Sequence, residues 1–374
     1  MTVYLDCNAT SPVTPDVAKI VMRYMTEEYG NAGSRTHEFG AVAKQAVEKA
    51  RGQVASLVLA DKSDVYFTSG ATESNNLAIL GLVPYAEKTG RKHIITTPIE
   101  HKAVLEPIEQ LAARGFEVTY LPVDETGMVK AEDLQRALRD DTLLVSVMHI
   151  NNETGSIQPI AALCEVLASH DAFFHVDAAQ SFGKYSAVLA NSRIDMLSIS
   201  GHKMYAPKGI GALLLRRRGY ARAPLAPLMF GGGQERGLRP GTLPVALIAG
   251  LGQACEEASH EQASRQAYCE AIKQQLREAL LPLGCVENGQ NTASHVLNIS
   301  IPGVNSEAAL VGLKRLVAIS NGSACTSQSY TPSHVLTAMG LDEERIEGAI
   351  RISWCHMTKD IPLAEVIDSI KKLL

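Results

Sequence analysis

Lys203 is the first residue whose surroundings suggest chemistry. It lies in a glycine-containing connection between two apolar runs, residues 194–199 and 210–215, that are typical of buried strands. A lysine amine can condense with an aldehyde to form a Schiff base, and partial burial helps because it lowers the pKa of the amine. An isolated lysine is usually a surface charge, so this interpretation depends on the other residues of the chain.

Polar residues that could take part in binding or catalysis follow two further apolar runs. Gly70 and Thr72 come after the run 65–68, and the backbone amides of the helix that starts there, with the Thr72 hydroxyl, can hold a phosphate. The common alternative for this pattern is a simple helix N-cap. His101 follows the next run and can stack on an aromatic ring or move a proton, or it can cap the helix after it.

Asp177 ends another apolar strand pattern. A carboxylate that is half buried there needs a cationic partner, and the protonated ring nitrogen of pyridoxal phosphate is one. A metal ion bound by His175 and Asp177 is the alternative, since side chains two residues apart share one face of a strand. No third ligand follows at a fitting spacing, so we expect no metal site.

The order of these residues is more informative than each residue alone. A phosphate loop, a histidine, an aspartate, a glutamine and a lysine follow successive predicted strands, at Thr72, His101, Asp177, Gln180 and Lys203. In a pyridoxal phosphate site a lysine holds the aldehyde and an acidic residue keeps the ring nitrogen protonated, so that the ring withdraws electrons. The combination therefore predicts a pyridoxal phosphate site.

The chain also resembles the cysteine desulfurases, a branch of the fold-type I, class V aminotransferase-like group of pyridoxal phosphate enzymes. The motifs that carry this resemblance cover nearly the whole chain. They are Gly30-Asn31 with Ser34-Arg-Thr-His37, Ser69-Gly-Ala-Thr-Glu73, Glu100-His101, Asn151-Asn-Glu153, His175-Val-Asp177 with Gln180, Ser200-Gly-His-Lys203, Gly231-Gly-Gly-Gln-Glu-Arg236, Gly241-Thr242 and Gly322-Ser-Ala-Cys-Thr-Ser327.

The resemblance implies a role for each residue that faces the cofactor ring. Lys203 would form the Schiff base, and His101 would stack on the ring and assist proton transfer. Asp177 would pair with the ring nitrogen, and Gln180 would bond the ring hydroxyl.

The resemblance also implies phosphate-binding and substrate-binding residues. The phosphate end of the cofactor would be held by Ala71, Thr72, Ser200 and His202. Thr242 would join them from the partner subunit of a homodimer. Asn152 and Arg351 would bind the substrate carboxylate, a task that suits a bidentate arginine.

Cys325 lies in a run of small polar residues, 321–329, that is typical of an exposed loop. The resemblance implies that its thiolate attacks the sulfur of bound L-cysteine and keeps it as a persulfide, leaving alanine, and it favours the branch with a mobile cysteine loop. An incidental surface thiol is the alternative. The remaining cysteines have no such context and are expected to be structural: Cys7, Cys164, Cys255, Cys269, Cys285 and Cys355.

Strand-like and helix-like patterns alternate from residue 64 to residue 215, which favours a mostly parallel sheet with helices on both faces. Ligands of such sheets bind outside the carboxyl ends of the strands. We therefore expect an α/β fold with the seven-stranded sheet that the fold-type I resemblance implies. Three parts are expected: an N-terminal segment (1–15) packing with the small domain, a large cofactor-binding domain (16–255) and a small α/β domain (256–374) that carries the Cys325 loop.

Composition excludes some function classes. The net charge of −5 over 374 residues gives no general basic surface for nucleic acid or anionic membranes. No apolar stretch approaches the ~18–20 residues of a membrane span, and the N-terminus lacks the features of a signal peptide. The scattered cysteines include no C-x-x-C pair. We expect a cytoplasmic homodimer that uses L-cysteine and delivers sulfur to acceptor proteins.

Two rival functions stay open at this point. One is a related pyridoxal phosphate enzyme, an aminotransferase or a selenocysteine lyase. The other is a non-catalytic scaffold for sulfur relay, against which the intact Lys203, Asp177 and Cys325 argue. Iron–sulfur cluster assembly, transfer-RNA thiolation and DNA phosphorothioation all draw on cysteine desulfurases, and the sequence favours none of them.

Overall fold

The computed structural model describes residues 2–321 and 331–374, so the predicted nucleophile Cys325 lies outside the described residues. The strands are β1 (Val3–Tyr4), β2 (Val65–Thr68), β3 (His93–Thr96), β4 (Glu117–Tyr120), β5 (Thr142–Met148), β6 (Phe173–Asp177), β7 (Met196–Ser200), β8 (Gly211–Leu215), β9 (Val286–Glu287), β10 (Val296–Ser300), β11 (Val317–Ala318) and β12 (Ala349–Ser353).

The helices follow the predicted pattern in most places. They are α1 (Pro15–Thr26), α2 (Glu38–Ser56), α3 (Ala71–Leu80), α4 (Val83–Thr89), α5 (Lys102–Ala112), α6 (Ala131–Ala137), α7 (Ile160–Leu167), α8 (Val245–Leu280), α9 (Ser306–Leu313), α10 (His334–Ala338), α11 (Glu343–Glu347) and α12 (Leu363–Lys371). No helix within the described ranges is long and apolar enough to cross a membrane.

A seven-stranded sheet forms the centre of the larger part, in the order β2-β8-β7-β6-β5-β3-β4. Only β8 runs antiparallel to its neighbours in this sheet, and it does so on both sides. The strands β2 and β7 therefore run in the same direction as β6, β5, β3 and β4, and all six have their carboxyl ends at one edge. The predicted mostly parallel sheet is confirmed.

Helices cover both faces of the sheet, as the buried strands require. Strand β5 is buried along its whole length. Val145 and Val147 belong to a core shared with α1, α2, α7 and the first part of α8. Leu144, which points to the opposite face, belongs to a second core shared with α3 and α5.

A smaller α/β unit has its own core around the antiparallel sheet β12-β10-β9. Leu5 packs in this core, and β1 pairs with β11, so the N-terminal segment packs with this unit. Helix α8 contributes Ile248 to the first core and Ile272 to this one. The predicted domain boundary between residues 255 and 256 falls inside this continuous helix and stays a prediction.

Helices α3 and α4 are separate, although only Gly81 and Leu82 lie between them. Pro84, at the N-terminal end of α4, has no amide hydrogen to continue α3. Gly81, between the two helices, is close to its neighbours: a Cβ there would lie 2.4 Å from the Leu77 carbonyl oxygen. The chain therefore ends one helix at Leu80 and starts another at Val83.

A buried ion pair joins α2 to the glycine-rich segment that follows β8. Arg51 Nη2 and Nη1 donate to the two carboxylate oxygens of Glu235 at 2.7 and 2.9 Å, and the Phe67 amide of β2 donates to the same carboxylate at 2.7 Å. The side chains of Arg51 and Glu235 are 7% and 1% exposed. The pair therefore ties this segment to the edge of the sheet.

Replacing Arg51 by methionine should destabilise the fold by about 3–5 kcal/mol, because it leaves the buried Glu235 carboxylate without its cation. The free energy of unfolding from urea titration measures the loss. The control is Arg139→Met, which breaks an ion pair between exposed side chains, Arg139 and Glu117, and should cost far less. Similar losses in both variants would show that the Arg51–Glu235 pair has no special importance.

Candidate active site

A cavity of about 500 Å³ opens at the carboxyl edge of the seven-stranded sheet. Its walls bring together nearly all the predicted site residues: Ala71, Thr72, His101, Asn152, Asp177, Gln180, Ser200, His202, Lys203 and Arg351. Thr242 is exposed and is not among the lining residues. The parallel strands explain this convergence, since each strand ends at the same edge.

Lys203 lies in a short 3-10 turn, Gly201–Lys203, directly after β7. This turn needs glycine at 201, because a Cβ there would lie 2.9 Å from the Ile210 carbonyl oxygen. Lys203 Nζ donates to the backbone carbonyl of Asn8 and, at 2.8 Å, to that of Ala9. The half-buried amine is thus directed into the cavity by the N-terminal segment, a contact that sequence reasoning missed.

Asp177 lies at the end of β6 and is 5% exposed. Its Oδ1 accepts from the Ala179 amide at 2.9 Å, and its Oδ2 accepts from Asn75 Nδ2 at 2.7 Å. These two donors fix the orientation of the carboxylate. Asn75, in α3, is a second contributor that sequence reasoning missed, because nothing in the local pattern distinguishes it from a helix-surface asparagine.

Gln180 is also held by the N-terminal segment. Its Nε2 donates to the Asn8 carbonyl at 3.0 Å, so this carbonyl accepts from both Gln180 and Lys203. Among the described residues, three buried amide oxygens have no hydrogen-bond partner here: Asn8 Oδ1, Asn75 Oδ1 and Gln180 Oε1. Buried polar atoms are normally paired, so a ligand with matching donors fits this part of the cavity.

The start of α3, at Ala71 and Thr72, forms another part of the cavity wall. The loop before α3 passes so close to β8 that a Cβ on Gly211 would lie 2.6 Å from the Gly70 Cα. Glycine at 211 therefore lets the loop pack against the strand, while Gly70 has a φ of 156° that residues other than glycine rarely adopt. Free backbone amides at a helix N-terminus favour an anion, which matches the predicted role of Ala71 and Thr72.

Two histidines in the cavity are uncharged near neutral pH. Burial, with the nearby Lys203 charge, lowers the pKa of His202 to about 4, and its Nδ1 lies 3.1 Å from the Thr10 hydroxyl. Burial also lowers the pKa of His101. His101 Nδ1 accepts from the Ala103 amide at 3.1 Å as the N-cap of α5, so the ring proton is on Nε2. His101 therefore caps its helix and lines the cavity at once.

Glu100, next to His101, is completely buried. Its Oε1 accepts from the Thr97 hydroxyl and from the Met148 amide, both at 2.8 Å. Burial is the main cause that raises the pKa of the Glu100 carboxyl to about 8, and the charge of Asp177 adds to it. The group is thus a neutral carboxylic acid at neutral pH, and sequence reasoning did not single it out as such.

Arg351 projects from β12 and is 2% exposed. Its Nη2 donates to Asp6 Oδ1 at 2.7 Å, and its Nη1 donates to the Asn152 carbonyl at 3.0 Å. The two residues predicted to bind the substrate carboxylate are therefore in contact. A substrate carboxylate bound to Arg351 would therefore share the guanidinium group with Asp6.

The residues on either side of the undescribed segment contact the cavity walls. Ser320 exchanges backbone hydrogen bonds with Arg351 at 2.6 and 3.2 Å. The Ser333 hydroxyl donates to Glu153 Oε2 at 2.6 Å, and His334 Nε2 lies 2.9 Å from the Glu100 carbonyl. The chain on both sides of Cys325 is thus attached to the site.

The metal alternative for His175 and Asp177 has no support in the structure. His175 Nδ1 and Nε2 lie 2.8 and 2.9 Å from the hydroxyls of Ser146 and Ser198, so both ring nitrogens have partners in neighbouring strands. Within residues 2–321 and 331–374, no group of three or more His, Cys, Asp or Glu side chains could hold a metal ion.

Comparisons with known proteins identify the family of the chain. Residues 3–361 match the family model described as aminotransferase class-V. The chain is 45% identical over 378 aligned residues to cysteine desulfurase IscS of Escherichia coli, covering 99% of this chain and 92% of the relative.

Two solved structures superpose on nearly the whole of this chain. A NifS-like protein superposes with a TM-score of 0.90 at 37% identity, covering 100% of this chain and 98% of that chain. DndA from Streptomyces lividans superposes with a TM-score of 0.83 at 52% identity, covering 94% of this chain and 99% of that chain.

Replacing Glu100 by glutamine should change how stability depends on pH. The folded protein keeps the Glu100 proton up to about pH 8, whereas an unfolded chain releases it near the ordinary carboxyl value. Between these two pKa values the folded state binds more protons than the unfolded state. The contribution of protonated Glu100 to stability is therefore complete below the pKa of the unfolded chain, and it is lost as the pH rises through the pKa of the folded protein.

The free energy of unfolding of the wild type, relative to Glu100→Gln, should therefore fall by a few kcal/mol between about pH 5 and about pH 8. Urea titrations at several pH values measure this difference. Glu106→Gln, an exposed position on the following helix, is the control and should show no such trend. A constant difference for Glu100→Gln would mean that Glu100 is ionised in the folded protein.

Proposed function

The chain belongs to the aminotransferase class-V family and is a homologue of the cysteine desulfurases, and on this basis we propose that it converts L-cysteine to L-alanine with Cys325 as the sulfur acceptor. The Cys325 persulfide then passes its sulfur to acceptor proteins. The observation that carries the proposal is the convergence of Lys203, Asp177 and Arg351 in one cavity.

Pyridoxal phosphate is the cofactor of this proposal, and the residues present fit it. The Asp177 carboxylate suits the ring nitrogen, and the unpaired Gln180 Oε1 suits the ring hydroxyl. The backbone amides at the start of α3, with Thr72, Ser200 and His202, suit the phosphate. When bound, the cofactor supplies an aldehyde that condenses with amines and a ring that withdraws electrons from the substrate Cα.

The protein side chains contribute binding, orientation and proton transfer. Arg351 and the adjacent Asn152 orient the substrate carboxylate, for which Arg351 has two planar donors. Lys203 Nζ, directed into the cavity from the end of β7, moves the proton of the substrate Cα, and His101 Nε2 holds a second proton. Asn75 keeps the Asp177 carboxylate in place.

The sulfur step is a nucleophilic displacement. The Cys325 thiolate attacks the sulfur of bound L-cysteine, a new S–S bond forms, and the bond between Cβ and sulfur breaks. The carbon fragment takes up a proton and leaves as alanine. L-cysteine and one thiol therefore give alanine and one persulfide.

A homodimer is part of the proposal. Thr242 is exposed and lies at the end of a glycine-rich segment. Just before this segment is an exposed apolar patch formed by Leu228, Met229 and Phe230, and Phe230 is 87% exposed. Large exposed apolar residues next to one another are typical of subunit interfaces. This patch supports a dimer in which Thr242 reaches the phosphate of the partner subunit.

The acceptors that we propose are proteins of iron–sulfur cluster assembly, transfer-RNA thiolation or DNA phosphorothioation. A cytoplasmic location goes with this proposal, since a reducing compartment keeps the nucleophilic thiol free. Transfer of radioactive sulfur from labelled L-cysteine to purified acceptors of each class would identify which of them is served.

Cys325→Ala should retain the yellow cofactor but lose sulfide release, because the nucleophile is absent. Sulfide and alanine formed from L-cysteine with a thiol reductant are the measurement. The wild type should form both in equal amounts, and the variant should fall to background. Cys285→Ser, which removes a buried thiol of the smaller unit, is the control and should keep the wild-type rate.

Other outcomes of this assay point to the rival functions. Undiminished sulfide release by Cys325→Ala would show that Cys325 is not the nucleophile. Keto acid from alanine or serine in place of sulfide would indicate an aminotransferase, and a strong preference for selenocysteine would indicate a lyase. A wild-type protein that binds no pyridoxal phosphate would indicate the scaffold.

Lys203→Ala should bind pyridoxal phosphate without a covalent bond, since it lacks the amine that condenses with the aldehyde. Borohydride reduction followed by peptide mass spectrometry should find the adduct on Lys203 in the wild type and no adduct in the variant. Lys208→Ala removes another amine that lines the same cavity and should retain the adduct. An adduct on Lys208 in the wild type would overturn the assignment.

A further inference from the structure

An ion pair between Glu73 and Arg239 lies at the start of α3. Glu73 belongs to the first turn of this helix and lines the same cavity as Lys203. Its Oε1 accepts from Arg239 Nε at 2.8 Å, and its Oε2 accepts from Arg239 Nη2 at 3.3 Å. The two side chains are 17% and 21% exposed. Arg239 is not among the lining residues, so its connection with the cavity runs through Glu73.

The Glu73 carboxylate also holds the loop that leads into α3. The Ser69 amide donates to Glu73 Oε2 at 2.8 Å. Gly70, the N-cap residue, has no side chain that could cap the helix. The first amides of an α-helix have no partner inside the helix, so those of Ala71 and Thr72 stay available for an anion.

Glu73 is ionised at neutral pH. Burial alone would raise the pKa of its carboxyl group, but the hydrogen bonds from Arg239 and Ser69 outweigh burial and lower this pKa. An acid in the first turn suits the helix itself, yet it opposes a phosphate at the same helix end, because like charges repel more strongly where little water screens them. The Arg239 guanidinium group, which faces Glu73 with two donors, offsets this repulsion.

Arg239 belongs to the glycine-rich segment that ends at Thr242. The Gly241 amide donates to Gln234 Oε1 at 2.9 Å, which joins the two ends of this segment. The Arg239–Glu73 pair attaches the segment to α3. In the proposed homodimer, one segment would therefore support the phosphate site of its own subunit through Arg239 and that of the other subunit through Thr242.

We propose that Arg239 is a positioning residue for the cofactor phosphate, because it neutralises Glu73 and keeps that carboxylate on the Ser69 amide. The inference rests on the proposed function, in which pyridoxal phosphate is the ligand. With the pair in place, the groups that face the phosphate are the amides at the start of α3 and the Thr72 hydroxyl. Without Arg239, the phosphate meets an unpaired carboxylate, and the affinity for pyridoxal phosphate falls while the contacts of the ring stay in place.

The test measures the affinity for pyridoxal phosphate. The purified holoprotein is stripped of its cofactor with hydroxylamine, and the dissociation constant of added pyridoxal phosphate is measured from the visible absorbance of its Schiff base with Lys203. Arg239→Met should raise this constant roughly tenfold. Glu73→Gln keeps an oxygen for the Ser69 amide and removes the charge, so it should bind at least as tightly as the wild type. Weaker binding by Glu73→Gln would contradict the proposal, even where Arg239→Met fails to fold.

The double variant separates the effect of charge from a general loss of structure. Arg239→Met combined with Glu73→Gln removes both charges, so the dissociation constant should return to within about threefold of the wild-type value. Arg236→Met is the control, since it removes another cation of the same segment, whose Nη2 donates to the Val65 carbonyl at 2.7 Å. Equal losses in Arg239→Met and Arg236→Met, or a double variant as weak as Arg239→Met alone, would overturn the proposal.

A second ligand shows whether the effect belongs to the phosphate. Pyridoxal has the aldehyde and the ring but no phosphate, so its Schiff base with Lys203 should form equally well in the wild type and in Arg239→Met. A loss confined to pyridoxal phosphate supports the proposal. Equal losses for both ligands would mean that Arg239 supports the cavity as a whole, which contradicts a role toward the phosphate.

The outcomes distinguish this inference from the proposed function. A wild-type protein that binds no pyridoxal phosphate contradicts the proposed function itself. A wild type that binds the cofactor and releases sulfide, with an unchanged dissociation constant in Arg239→Met, contradicts only the role of Arg239. Sedimentation velocity should find Arg239→Met in the same oligomeric state as the wild type. A variant that is monomeric where the wild type is a dimer would attribute the weaker binding to lost subunit contacts and overturn the inference.

Discussion

The carbonyl oxygen of Asn8 is the contact on which the arrangement of the site depends. It accepts from Lys203 at the end of β7 and from Gln180 after β6. Asn8 belongs to the short segment whose Leu5 packs in the core of the smaller unit and whose Asp6 accepts from Arg351. A buried carbonyl must be paired, and here that requirement joins the sheet edge to the smaller unit at the point where the cavity lies.

Burial then determines which groups of the cavity are charged. Glu100 is a neutral acid because it is completely buried, and His202 is a neutral base because partial burial and the nearby Lys203 charge lower its pKa. The charged residues that line the cavity are Glu73, Asp177, Lys203, Lys208 and Arg351, and Arg351 is paired with Asp6. An electron-withdrawing cofactor needs an anion at one end of its ring and a cation for the substrate carboxylate, and Asp177 and Arg351 meet these two needs.

The sequence was sufficient for the features that depend on local pattern. The alternation of strand-like and helix-like patterns from residue 64 to residue 215 predicted a mostly parallel sheet, and the positions of Asp177 and Lys203 after apolar runs predicted a common edge. Patterns of this kind do not reveal contacts between distant residues. The Asn75–Asp177 hydrogen bond joins residues 102 positions apart, and the Ser333–Glu153 hydrogen bond joins residues 180 positions apart. Helix α4 was missed for a different reason, since the short apolar run around Pro84 continues the helical pattern of α3.

The described residues on either side of the segment that contains Cys325 contact residues of the proposed site. Ser320 bonds Arg351, which we propose binds the substrate, and Ser333 bonds Glu153 in the loop that carries Asn152. Under the proposed function, an acceptor protein would therefore dock close to these contacts, beside the sheet edge and the smaller unit. Acceptor choice then depends on residues around the cavity mouth that take no part in the chemistry, which explains why the catalytic motifs favour no single pathway.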